Sequence, residues 1–292
     1  MSSAKFEDEV YDRIRRYDAS GNISYCVLSR ETSGGVISVP DKNLAFHVIP
    51  ITFTGYSDVP HDFFQKMTFE YASRNIQLVH LWQDQWTVKR PIVCSRIQAL
   101  LGGGTRIHAR KTVAKRIDGD DMRRFFTDNH LQGFVTARYS YGLFADDRLA
   151  AAASFSAGRT VTRNGVAGRS YELLRYASLT GRRVVGGVGK LIARFAEDRN
   201  PDDIMTYADL DWASGKTYTA LNFQQVAVAP PQVFWVHPDD NIRYYPHRLP
   251  SGLTEAFDSQ TDCVSFDDFM RNKGYIKIYN SGNLKYILTT KS

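Results

Sequence analysis

A glycine turn divides the middle of this chain. Tyr171-Glu172-Leu173-Leu174-Arg175-Tyr176-Ala177 reads as a strand, and Leu191-Ile192-Ala193-Arg194-Phe195-Ala196 reads as a helix. Between them stands Arg182-Arg183-Val184-Val185-Gly186-Gly187-Val188-Gly189-Lys190. A glycine-rich turn that opens a helix presents several backbone N–H groups at the positive end of that helix. Such a turn suits a phosphate or pyrophosphate, carried by a cofactor or by a nucleic acid.

The chain has 292 residues, enough for one large domain or two ordinary ones, and 43% of them are hydrophobic, enough for a sizeable core. No apolar run reaches the length of a membrane span. The opening residues Met1 to Glu9 are polar and acidic and do not read as a signal peptide. Cys26, Cys94 and Cys263 are far apart and form neither a zinc pattern nor a disulfide framework, which fits a reducing cytoplasm. The net charge of +6 favours a polyanionic partner only mildly, and no dense Lys/Arg tail accompanies it.

Periodicity gives a mixed α/β order. Residues 1–103 predict a helix over Glu7 to Tyr17, strands at Ile23 to Leu28, Val36 to Val39 and Leu44 to Ile49, a helix over His61 to Arg74, a strand at Ile76 to Trp82 and a helix from Pro91 to Leu101. Gly102-Gly103-Gly104 is the expected boundary. Residues 104–250 alternate strands and helices. A strand starts at Arg106, a helix covers Asp120 to Asn129, and a hairpin turns at Asp146-Asp147. After the glycine turn and its helix come a strand at Ile204 to Asp209, a short helix from Lys216 to Leu221 and a last strand at Val233 to His237. This order predicts an α/β sheet with its ligand at the strand ends. Residues 251–292 predict a short helix at Phe266 to Lys273 and strands at Tyr275 to Tyr279 and Leu284 to Leu288.

The second segment resembles the GNAT acyltransferase superfamily. The matching stretch is Val184-Val185-Gly186-Gly187-Val188-Gly189-Lys190, followed by Tyr218-Thr219-Ala220-Leu221-Asn222-Phe223. The resemblance implies a mixed sheet with flanking helices. It also implies an acetyl-CoA or other acyl-CoA donor, held by Val185, Gly186, Gly187, Gly189 and Lys190. Asn129-His130, Glu172-Leu173-Leu174-Arg175, Tyr207-Ala208-Asp209 and Tyr218 to Phe223 further resemble the Mom-type phage DNA-modification proteins. Carried over residue by residue, that likeness implies site residues His130, Arg175, Asp209 and Tyr218. It implies acyl transfer to a nucleobase amine, in the host cytoplasm if the protein is phage-encoded.

A third resemblance covers nearly the whole chain. Asn75 to Trp86, Ile92 to Ile97, Ile107 to Lys111 and Gly274 to Tyr279 are similar to homing endonucleases of large phages, whose N-terminal part resembles a very-short-patch-repair nuclease. Two acidic residues would hold Mg²⁺ there, and Val36 and His47 stand in their places, so the expectation is a degenerate nuclease module that docks on DNA. Basic residues that could follow a phosphate backbone are Lys89, Arg90, Arg106, Arg110 and Lys111. Trp82 and Trp86 are expected mainly in the core, and no metal site is expected from the scattered histidines. The alternatives are DNA cleavage, or DNA binding without catalysis.

Overall fold

The structure is a computed structural model that describes residues 2–18, 20–27, 34–51, 59–163, 165–259 and 264–291. Leu28 and Cys263 lie outside them. In chain order the first elements are α1 (Ser3–Tyr17), β1 (Ser24–Val27), β2 (Gly35–Val39), β3 (Leu44–Ile49), α2 (Phe63–Ser73), β4 (Gln77–Trp82) and α3 (Gln83–Leu100). The middle runs β5 (Thr105–His108), β6 (Val113–Arg116), α4 (Gly119–Asn129), β7 (Tyr139–Ala145), β8 (Arg148–Phe155), β9 (Arg159–Arg163), β10 (Val166–Ser178), β11 (Arg182–Val185) and α5 (Gly187–Arg199). The rest is β12 (Asp203–Asp209), α6 (Lys216–Thr219), β13 (Gln224–Ala229), β14 (Val233–Val236), β15 (Arg243–Tyr244), α7 (Ser251–Asp258), α8 (Phe266–Asn272), β16 (Ile276–Tyr279) and β17 (Asn283–Thr289). The architecture is the expected mixed α/β one.

The chain divides into two compact units, each assembled from separated segments. Unit 1 takes Met1–Arg90, Asp209–Ala213 and Ala229–Asn283; unit 2 takes Pro91–Ala208, Ser214–Val228 and Leu284–Ser292. The division at Arg90/Pro91 coincides with a kink in α3, where Lys89 has φ −123° and ψ 29°. Proline causes it: the ring has no N–H to donate and crowds the carbonyl one turn back. Gly102 to Gly104 lies inside unit 2, as the turn from α3 to β5.

Unit 1 holds a four-stranded sheet in the order β1-β2-β3-β4, antiparallel except for the parallel β3/β4 pair. A three-stranded sheet, β15-β14-β16, packs its apolar side against it: Ile49, Phe64 and Trp82 share a core with Phe234, Val236, Ile276 and Ile278. Val233–Val236, read as the last strand of the large α/β sheet, therefore pairs with Ile276–Tyr279 instead. The alternation is the reason: Phe234 and Val236 put their apolar side chains into this core. Helix α1 buries Phe6, Val10 and Ile14, spaced four residues apart, and Phe6 meets Trp86 edge-on at 6.3 Å.

Two fully buried histidines sit in the middle of this unit. His47 Nδ1 lies 3.0 Å from His80 Nδ1, and His80 Nε2 lies 2.8 Å from Thr68 Oγ1. The Thr68 hydroxyl donates its one proton to the Phe64 carbonyl at 2.9 Å. His80 must therefore donate from Nε2 to Thr68, which leaves Nδ1 to accept from His47.

Unit 2 is built on a sheet in the order β13-β17-β12-β10-β8-β7-β6, with β9 paired to β10. Leu284 to Leu288, expected as a tail strand, is its second member. Helices cover both faces. On one, Phe195 of α5 stacks on Phe155 at 3.9 Å and meets Tyr171 at 5.1 Å. On the other, Met122, Phe125 and Phe126 of α4 pack on Ala152 and Ala177. Each such aromatic contributes roughly 1.5–3 kcal/mol by leaving water. Asp118 starts α4 by accepting from the Asp121 N–H at 2.8 Å. The short strands β6, β9, β11, β13 and β15 and helix α7 carry too few periodic residues to be read from sequence.

Candidate active site

Strand β10 carries a β-bulge. Leu173 pairs with Phe155 of β8 and Arg175 with Ser154, so Leu174 is surplus. Tyr171 and Leu173 therefore face α5, Arg175 and Ala177 face α4, and Tyr176 faces α5 again. On its other edge β10 pairs in parallel with β12 from Ser170/Asp203 to Leu173/Thr206. There the ladder ends, although β10 runs on to Ser178 and β12 through Tyr207 and Ala208. The strands part at the bulge, and the Thr206 hydroxyl donates to the Leu173 carbonyl at the point of parting, 3.1 Å away.

The freed half of β10 meets the glycine turn. Gly186 has φ +76°, which a side chain would strain, and α5 starts at Gly187 with no side-chain cap. The N–H groups of Gly187, Val188 and Gly189 consequently have no acceptor within the helix. Two glycines are required by packing. A Cβ at Gly187 would lie 2.5 Å from the Tyr176 hydroxyl, and one at Gly189 would lie 2.9 Å from Leu221 Cδ2. Tyr176 thus stands directly against the helix start.

Tyr218, on α6, is half-buried between Phe223 at 5.4 Å and Tyr286 at 5.6 Å. Gly215 sets its position, since the Tyr286 hydroxyl occupies the place of a Cβ there, 2.0 Å away. Burial pushes the Tyr218 phenol above its ordinary range, opposed by the Thr206 hydroxyl and Arg96. Burial also raises Tyr176, and Tyr218 lies close enough to add to that rise. The two phenols and the glycine turn therefore form one neighbourhood in unit 2.

Glu172 projects from β10 on the face opposite Tyr171. Burial pushes its carboxyl up, against the charges of Arg159, Arg175 and Lys285. Arg175 donates from Nη1 to the carbonyl of Leu174, 2.8 Å away. A lone carboxylate in an apolar strand could have drawn attention to Glu172. Nothing in the sequence marks Tyr176, because the bulge hides which face it takes.

The other sequence candidates lie at the ends of α4 and β12, in the first turn of α5, on α3, and on β5 and the turn that follows it. His130 ends α4, and its Nδ1 accepts from the Gln132 N–H at 3.2 Å. Asp209 belongs to unit 1, where its Oδ1 accepts from the Asp211 N–H at 3.0 Å. Lys190 donates from Nζ to the Ala109 carbonyl at 2.9 Å and to that of Thr112, tying α5 to the turn after β5. Lys89 stands at the α3 kink. Arg90 pairs with Glu9 and lies over Trp86, 4.8 Å from the ring centre. Arg106 gives one N–H to the Gly102 carbonyl at 3.1 Å, while Arg110 and Lys111 are exposed in the turn after β5. Trp82 and Trp86 are core residues. Val36 and His47 pair across β2 and β3, both buried, and among the described residues no three His, Cys, Asp or Glu stand together as metal ligands.

No known protein family matches the sequence, and no curated protein does. Among solved structures, a Bacillus subtilis acetyltransferase in complex with CoA is similar at 12% identity and TM-score 0.35, over 62% of this chain and 100% of that one. The ribosomal-protein-S18-alanine N-acetyltransferase of Escherichia coli is similar at 11% identity and TM-score 0.35, over 62% of this chain and 96% of that one. An Enterococcus faecalis protein described as a probable N-acyltransferase is similar at 15% identity and TM-score 0.33, over 44% of this chain. The match spans 36% of that protein's length. No helix among the described residues is long and apolar enough to cross a membrane.

Proposed function

We propose that this chain transfers an acyl group from an acyl-CoA donor, by default acetyl-CoA, to an amine of a DNA base. The observation that carries the reading is the parting of β10 from β12 beside an uncapped, glycine-built helix start. A donor of this class brings a pyrophosphate and a chain containing amides. The N–H groups of Gly187 to Gly189, without acceptors in the helix, fit the first, and the stretch of β10 after Leu173 that β12 leaves unpaired fits the second. When bound, the donor supplies an activated thioester carbonyl.

The remaining work falls to side chains of this chain. Tyr218, held protonated by burial, donates a proton to the departing thiolate. Glu172, whose raised carboxyl is a better base than an exposed one, accepts the proton of the attacking amine, directly or through water. It suits that role better than His130, whose Nδ1 lone pair the Gln132 N–H already occupies. Asp209 orients the turn that follows it, and Arg175 lies on the same strand as Glu172 and lowers its carboxyl. DNA as acceptor is supported by the resemblance of Glu172 to Arg175 and of Tyr207 to Asp209 to the Mom-type proteins. A base within a duplex must leave the stack before its amine can react.

Nucleosides from DNA co-expressed with the protein, analysed by mass spectrometry, test the reading. An acyl-sized mass increase on one base is expected with the wild type, and its loss with Glu172→Gln and with Tyr218→Phe. Unmodified DNA from the wild type, together with no calorimetric binding of acetyl-CoA, would overturn it.

A further inference from the structure

Charge is segregated along this chain. Pro91 to Ile117 and Leu173 to Ala196 together carry eleven of its 37 Lys and Arg and none of its 31 Asp and Glu. The net charge of the whole is +6, so everything outside these two stretches is net negative. The fold joins the two stretches. Strands β5 and β11, one from each, form a parallel two-stranded ribbon of their own within unit 2.

The register of that ribbon places Arg106 directly opposite Arg183, and His108 opposite Val185. Val184 is buried and its partner Ile107 half-buried, so this pair faces inward. Arg106, Arg183 and His108 accordingly share the outer face, where all three are exposed. Arg182 is exposed at the start of the ribbon, and Arg110 and Lys111 are exposed in the turn that follows β5. Among the described residues none of these five Arg and Lys has a carboxylate at ion-pair distance. Lys115, just beyond, does approach Asp147, at 4.0 Å. Two like charges directly opposite each other destabilise a strand pair. Two arginines at opposing positions on one exposed face, with one Arg106 N–H taken by the Gly102 carbonyl, leave several N–H donors for successive phosphates.

We propose that the outer face of the β5/β11 ribbon, with Arg106 and Arg183 at its centre and Arg182, Arg110 and Lys111 at its ends, binds the phosphate backbone of DNA. The inference rests on the reading of the acceptor as a DNA base. It supplies the surface that would hold the strand bearing that base.

Fluorescence anisotropy with a labelled 20-base-pair duplex, between 0.05 and 0.2 M salt, measures the interaction. Each phosphate neutralised contributes about 0.9 to the slope of log affinity against log salt, which is roughly fivefold in affinity at 0.15 M. Arg106→Ala/Arg183→Ala is expected to weaken binding roughly 30-fold at 0.15 M salt and to lower the slope by about 2. Calorimetric affinity for acetyl-CoA is expected to stay within about twofold, since a phosphate contact positions only the ligand that carries it. Lys66→Ala, which removes a charge paired with Asp62 in unit 1, is expected to leave the slope unchanged.

Unchanged duplex binding by the double variant would overturn the inference. Loss of acetyl-CoA affinity with duplex binding intact would overturn it too, by assigning the two arginines to the donor's phosphates. An equal loss of slope in Lys66→Ala would do the same, by making net charge the cause. Duplex binding that depends on Arg106 and Arg183, in a protein that binds no acetyl-CoA, would sustain this surface while removing the acyl-transfer reading.

Discussion

Acid should loosen unit 1 through one residue. Burial pushes His80 from 6.5 down to about 3, and its Nδ1 is already committed as the acceptor from His47. Protonation would set an N–H against the His47 N–H at 3.0 Å, inside the core. The folded value lies below the unfolded one. The stabilisation is therefore complete above pH 6.5 and is lost as pH falls from there toward 3. The full span is worth about 5 kcal/mol, and between pH 8 and pH 5 the loss is about 2 kcal/mol. All four tryptophans, Trp82, Trp86, Trp212 and Trp235, belong to unit 1, so their fluorescence in a urea titration reports on that unit alone. The wild type should lose about 2 kcal/mol more between pH 8 and pH 5 than His80→Gln does. An identical pH dependence in both proteins would refute the reasoning.

Other outcomes follow from the same geometry. Gly187→Ala would press a methyl into the Tyr176 hydroxyl and should cost about 1–3 kcal/mol in chemical denaturation, with part of the loss restored by adding Tyr176→Phe. Arg243→Met leaves the buried Asp84 carboxylate without the guanidinium that it pairs with at 3.0 Å, and should cost about 3–5 kcal/mol by the same assay. Tyr218→Phe should lower kcat roughly 10²–10⁴-fold while calorimetric acetyl-CoA affinity stays unchanged, because the hydroxyl acts on the leaving group rather than on the bound donor.

Much of the architecture is legible where periodicity is strong. The run Leu44 to Ile49, the hairpin turning at Asp146-Asp147 and the helical stretch His61 to Arg74 each announce the element that forms. The uncapped glycine start of α5 is equally visible, because only glycine tolerates the turn at Gly186 and the contacts at Gly187 and Gly189. Sheet membership is not. Val233–Val236 and Asn283–Thr289 exchange their expected neighbours, since strand partners are chosen by which core accepts the inward side chains. Of the residues in the proposed site, Tyr218 is an expectation of the resemblance, whereas Tyr176 depends on an uneven register and Glu172 on its burial. The pairing of Arg106 with Arg183 joins positions far apart in sequence, and periodicity within either segment is silent about it.

Leu174 shows how little sequence a gap in a sheet requires. Removing that residue would leave Leu173 on one side and Arg175, Tyr176 and Ala177 on the sides they already occupy, since it has no partner of its own in β8. What would vanish is the bend, and β10 and β12 would then be able to zip together past Thr206. One leucine with no partner in β8 stands where the β10/β12 ladder stops, and its neighbours would keep their sides of the sheet without it.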